Sequence, residues 1–200
     1  AFGKAGGDAS VLAVVFADGE GRYWVQKVEY ISSTPHPTSP LERGEDQGGG
    51  ISATDEATTQ CRIVAQIAKD LLLPSVTIET NGIGKFLPAI LRREMARMRV
   101  PCAVREAVST AAKDTRILEA FDAPLAARVI YAHESVYQTP FIRELQEWRP
   151  YRAGGRDDGL DAVAGALSLE PVRISSERYT TRLSWRGGAS SHSADSGVTG

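Results

Sequence analysis

The feature that most constrains the fold is a hairpin signal near the amino end. Val11–Phe16 (VLAVVF) is a short apolar run rich in β-branched residues. Arg22–Ile31 (RYWVQKVEYI) alternates aromatic and aliphatic side chains with polar ones and reads as the returning strand. Between them, Asp18-Gly19-Glu20-Gly21 is a turn cluster of the kind that closes two antiparallel strands.

Helix and strand patterns alternate after the hairpin. Residues 32–53 carry Pro35, Pro37 and Pro40, then Gly48-Gly49-Gly50, and read as a mobile loop insertion too polar to add to a core. Thr54–Leu73 has helical spacing through Ala57, Cys61, Val64, Ile67, Ala68 and Leu71, and Pro74 ends it. Ser75–Glu79 (SVTIE) is a strand, and Asn81-Gly82-Ile83-Gly84 turns the chain into a helix from Lys85 to about Met98. A strand at Val100–Arg105, a helix over Lys113–Phe121, a strand at Arg128–Tyr131, and helices over Thr139–Trp148 and Asp157–Leu169 complete the pattern. This order predicts an α/β domain over residues 1–170, with a mixed sheet flanked by helices. Residues 171–200 shift to Ser, Gly, Arg and Thr without periodicity and are expected to form a low-complexity, flexible tail or a partner interface.

Composition narrows the classes. Two hundred residues can bury a real core, and an apolar share of 42% with 24% charged residues is ordinary for a globular protein. The net charge is −2, which counts against a protein that coats nucleic acid but not against an enzyme with an acidic metal site. Cys61 and Cys102 are the only cysteines and form no Cys-x-x-Cys, so neither a disulfide framework nor a zinc site is expected. With no leader signature and no apolar run near about 18 residues, a soluble intracellular protein without a membrane partner is expected. Gly84-Lys85 is followed by Phe86, so there is no P-loop. There is also no Gly-x-Ser-x-Gly elbow and no His-Glu-x-x-His pair, and His36, His133 and His192 are scattered.

Carboxylates at element ends remain as candidates. Glu79 stands at the carboxyl end of a strand, where functional sites of open α/β sheets gather, although a solvated strand-end Glu has the same signature. Asp157, Asp158 and Asp161 open a helix after Ala153-Gly154-Gly155, and their spacing places Asp161 on one face with the other two. Capping of the helix start accounts for one or two of these acids, but not readily for Asp161, beside the apolar stripe Leu160, Val163, Ala164 and Leu167. Asp8 follows Gly6-Gly7 and is either a fourth ligand or a turn residue. Converging acids of this kind suit Mg²⁺ or Mn²⁺ rather than zinc. Two such ions, roughly 3.5–4 Å apart, activate water and stabilise the leaving oxygen of a phosphodiester. Lys85, Arg92, Arg93, Arg97, Arg99, Lys113, Arg116, Arg152 and Arg156 are placed to line a DNA path. Lys113 and Arg116 are the better phosphate contacts, and the Arg92–Arg99 charges read more simply as a solvated helix face.

Taken in order, several segments resemble the nuclease domain of phage and prophage terminase large subunits. They are Gly6-Gly7-Asp8-Ala9-Ser10, Ile78-Glu79-Thr80-Asn81-Gly82-Ile83-Gly84, Lys113-Asp114-Thr115-Arg116-Ile117, Phe141-Ile142-Arg143-Glu144-Leu145 and Arg156-Asp157-Asp158-Gly159-Leu160-Asp161-Ala162. The resemblance runs from about Ala1 to Leu169 and implies an RNase H-like fold that cuts concatemeric viral double-stranded DNA with two divalent metals. It implies Glu79 as the second-strand catalytic acid, Asp158 with Asp161 as the last acids, and Asp157 and Asp8 beside the metals. Lys113, Arg116, Lys85 and Arg156 are implied as DNA contacts. The implied partners are an amino-terminal packaging ATPase domain of the same protein, a small terminase subunit and the portal of the procapsid, in the cytoplasm of a bacterial host.

Two departures accompany the resemblance. The family's first catalytic Asp ends a strand just upstream of the Gly-Gly-Asp turn, so that strand and its Asp are expected to fall before Ala1. Arg156 stands where relatives often carry His. Another RNase H-like nuclease, such as a Holliday-junction resolvase or transposase, shares the acid pair at the last helix. A non-catalytic prophage remnant or packaging module is the alternative from a different class.

Overall fold

A computed structural model describes residues 10–31, 53–80, 86–151 and 156–171. The order is β1 (Ser10–Ala17), β2 (Tyr23–Ile31), α1 (Ala53–Asp70), β3 (Ser75–Glu79), α2 (Leu87–Arg97), β4 (Ala103–Ala107), α3 (Lys113–Ala126) and β5 (Ile130–Ala132). A 3₁₀ turn (Glu134–Gln138), α4 (Pro140–Glu147) and α5 (Asp158–Leu167) follow. The chain is therefore mixed α/β, as its pattern predicts.

The hairpin forms as expected, with Asp18 organising its turn. The Asp18 carboxylate accepts from the amides of Glu20 and Arg22 and from the Arg22 guanidinium. Those bonds hold its acid well below the usual carboxylate range. The register slips between Val14 and Val15, so Gln26 is the extra residue of a bulge. The bulge turns both Val25 and Val28 toward the same core despite their odd spacing.

Among the described residues the strands make two sheets rather than the single mixed sheet expected. One has the order β1-β2-β5, with β2 antiparallel to β1 and parallel to β5; the other is the parallel pair β3-β4. Each sheet has its own core. Val25, Val28, Ile117, Phe121, Val136, Phe141, Leu160 and Val163 fill the space between the first sheet and α3, α4 and α5. Ala57, Ala65, Val76, Leu91, Met95 and Val100 fill that between the second sheet, α1 and α2. Within this described part, no helix is long and apolar enough to cross a membrane.

The helices α1, α2 and α3 end in the same way. Leu72, Arg99 and Arg128 take left-handed backbone angles (φ 51°, 55° and 57°). The amides of Leu73, Val100 and Val129 then donate back to the carbonyls of Ala68, Met95 and Pro124. This is the doubled-back Schellman cap, whose left-handed position is usually glycine. It corrects three sequence boundaries. The first helix stops at Asp70 rather than Leu73, Val100 is a buried cap residue rather than a strand start, and β5 begins at Ile130. The helix read as Lys113–Phe121 runs on through Pro124 to Ala126. The turn Glu134–Gln138 has no counterpart in the sequence reading.

A left-handed conformation strains any residue with a Cβ, and Leu72 is 83% exposed with little packing to lose. Leu72→Gly should stabilise the chain by about 0.5–1 kcal/mol, set by the relief of that strain less the added freedom of the unfolded chain. Thermal unfolding checks this, and a lowered melting temperature would contradict the cap assignment.

Candidate functional site

The amino end of α5 is fixed before its acids do anything. Leu160, Val163, Ala164 and Leu167 are buried, as the stripe predicted, and seat the helix on β1 and α3. Asp157 is the residue before the first turn, yet its side chain makes no capping bond. The buried Glu144 of α4 supplies the cap instead: one carboxylate oxygen accepts from the Leu160 amide at 3.0 Å, the other from the Tyr30 hydroxyl at 2.9 Å. Burial, then the Glu144 hydrogen bond and charge, push the Tyr30 phenol well above its ordinary range. Gly159 sits under this pair, where a Cβ would collide with the Tyr30 ring and hydroxyl and lie 2.9 Å from a Glu144 oxygen. Capping, the ordinary explanation for an acid in this position, therefore does not account for Asp157.

The acids turn to α3 instead. Lys113 Nζ lies 2.6 Å from Asp157 Oδ1 and 3.5 Å from Asp158 Oδ1. One turn on, Arg116 grips Asp161 with Nη2 at 2.6 and 2.7 Å from the two carboxylate oxygens and Nε at 3.0 Å. Burial lowers the pKa of both cations, but the Asp157 hydrogen bond and the neighbouring aspartate charges outweigh it for Lys113 and raise its ammonium pKa. For Arg116, Asp161 and then Glu79 do the same.

Glu79 arrives from the other core. The end of β3 is held by Thr80, whose amide and hydroxyl both donate to the Ala107 carbonyl. That places Glu79 Oε1 3.6 Å from Arg116 Nη1, an atom that also donates to Ser109 Oγ. Arg116 thus touches acids from two strand-and-helix units 82 positions apart in the chain, Glu79 and Asp161.

The structure brings together Glu79, Asp157, Asp158, Asp161, Lys113 and Arg116 of the expected residues. Arg156 is exposed and joins none of them. Asp8 and Lys85 lie outside the described residues. The sequence reading missed Glu144, Tyr30 and Ser109. Ser109 has no local signal, and Glu144 stood inside a recognised motif without a role. As donors, four carboxylates suit a hard divalent cation. Among the described residues, however, no three acidic, His or Cys side chains are spaced to hold one ion, and Lys113 and Arg116 pair with the acids. Four carboxylates against two cations leave an excess of two negative charges. The chain matches no protein-family model and no curated protein.

Gly159→Ala should destabilise the fold by about 1–3 kcal/mol, the usual penalty for overpacking a fixed site. Thermal or urea unfolding reads it, and an unchanged midpoint would mean that the Tyr30–Glu144 pair is not seated there. A second expectation follows from Lys113, whose pKa is raised in the fold. Its contribution is fully present below the ordinary lysine value of 10.5 and is lost as pH rises through the higher folded value. The stability difference between the chain and Lys113→Met should be constant from neutral pH to about 10 and shrink above it. Paired melts across that range test it; a difference that vanishes near pH 8 would break the assignment.

Proposed function

We propose that the chain is a metal-dependent endonuclease with an RNase H-like fold, the nuclease domain of a terminase large subunit. In this reading it cuts concatemeric viral double-stranded DNA during genome packaging. The observation that carries the reading is the meeting of Glu79, at the carboxyl end of β3, with Asp161 and its neighbours on α5, across Lys113 and Arg116. These are the positions that the terminase resemblance singles out, and they come from distant parts of the chain and two separate cores. A capping bond does not explain Asp157, which makes none, while Glu144 takes the Leu160 amide.

Glu79, Asp157, Asp158 and Asp161 would hold the Mg²⁺ or Mn²⁺ ions only after leaving Lys113 and Arg116 and drawing closer than they stand here, and the surplus of negative charge is what divalent cations would offset. Bound there, two ions supply an activated water and stabilisation of the leaving oxygen. The chain's own residues position the substrate. The Arg116 fork matches a phosphate as well as a carboxylate, and Lys113 is a compact charge beside it. Without metal these cations offset two of the four acid charges; with DNA present they would turn to the phosphodiester, so the same two side chains would serve both states. The terminase reading also brings an amino-terminal ATPase domain, a small terminase subunit, the portal and a bacterial cytoplasm as partners and setting.

The charge pairing itself favours a second reading. Every α5 acid already has a cation, so the cluster can serve as glue between α3 and α5 in a non-catalytic packaging module. Plasmid cleavage with Mn²⁺ or Mg²⁺ separates the two. It should be run on this chain beside its Glu79→Ala and Asp161→Asn variants. Cleavage abolished by Glu79→Ala and by Asp161→Asn, with both variants folded, is the expected result. A folded chain that neither cleaves nor gains thermal stability from Mn²⁺ would leave the packing module as the function.

A further inference from the structure

The seam between α1 and α2 carries an arrangement of charge that the acidic site does not use. Glu94 of α2 is buried, at 3% exposure, and three guanidiniums converge on its carboxylate. Arg97 Nε and Nη2 lie 3.0 Å from Oε2, Arg62 Nε reaches the same oxygen from α1 at 3.3 Å, and Arg93 Nε stands 3.9 Å from Oε1. Burial alone would raise the Glu94 pKa; Arg62 and Arg97 reverse that and lower it.

One carboxylate cannot neutralise three arginines, so the seam holds a surplus of two positive charges. The arginines are also not spent. Their side chains are 51–63% exposed, and Arg62 and Arg93 make no other hydrogen bond or ion pair among the described residues. A buried anion that gathers three half-exposed cations restricts where those side chains can sit in advance of binding. Holding three like charges together is unfavourable without a further anion, and the guanidinium fork is matched to phosphate oxygens. A solvated helix face would scatter its charges; here they are tied to one point.

We infer that the α1–α2 seam, through Arg62, Arg93 and Arg97 held by Glu94, binds the phosphate backbone of double-stranded DNA. It lies on the second core, the one that carries β3, and not on the core of α3 and α5. The inference rests on the nuclease reading only in taking DNA as the polyanion.

The test is anisotropy of a labelled 30-base-pair duplex in EDTA over a series of salt concentrations, where cleavage contributes nothing. Arg93→Ala removes a charge without breaking a hydrogen bond to Glu94. Arg97→Ala is combined with Glu94→Gln so that no buried carboxylate is stranded. Each variant should lower the slope of log affinity against log salt by about 0.9 for its lost phosphate contact. Circular dichroism confirms folding. Unchanged slopes in both folded variants, or no duplex binding by the unmodified chain at low salt, would overturn the inference. Polyglutamate binding with the same arginine dependence, in place of duplex binding, would overturn it in favour of an acidic protein. Loss of cleavage with duplex binding intact would sink the nuclease reading and leave this surface standing.

Discussion

The Glu144 carboxylate is the interaction on which the acidic cluster depends. Buried between β2 and α5, it takes the Tyr30 hydroxyl on one oxygen and the Leu160 amide on the other. A buried charge persists only when its lone pairs are satisfied, and here a phenol and a helix amide satisfy them. The bond to Leu160 releases the residue before the helix from its usual duty. Gly159 completes the device by allowing α5 to approach Tyr30 more closely than a side chain would permit.

Charge balance follows from that release. Asp157, Asp158 and Asp161 lie side by side near the positive end of a helix, and Lys113 and Arg116 at the start of α3 face them one turn apart. The i, i+3 spacing on α3 meets the i, i+3 and i, i+4 spacing on α5, so the two helix starts pair like opposed combs. Such a pairing ties the start of α3 to the start of α5.

Much of this was legible in the sequence, and the losses have physical causes. The β1–β2 hairpin and β3 announced themselves by alternation, and α5 by its stripe. Val100 misled because the last residue of a Schellman cap is apolar and often β-branched, which looks like the start of a strand. Leu72, Arg99 and Arg128 gave no stop signal because each holds a glycine conformation without being glycine. Among the acids, Asp161 stood out because capping accounts for one or two acids at a helix start but not readily for one beside the apolar stripe. Glu144 lost its role because its partner Tyr30 is 114 residues away and no local pattern joins them. Arg93 and Arg97 read as solvated surface because the carboxylate that gathers them with Arg62 lies within the same charged run.

The division into two sheets with separate cores has a kinetic meaning. Proteins open in cooperative units, and each core here is a natural one. The unit built on α3 and α5 carries Lys113, Arg116 and three of the acids, while the unit built on β3 and β4 carries Glu79 alone. Partial unfolding of the second unit removes Glu79 and leaves the rest of the cluster paired and quiet. The full set of four carboxylates is therefore assembled only while both units are folded together, so the folding equilibrium of one half sets how often the cluster of the other is complete.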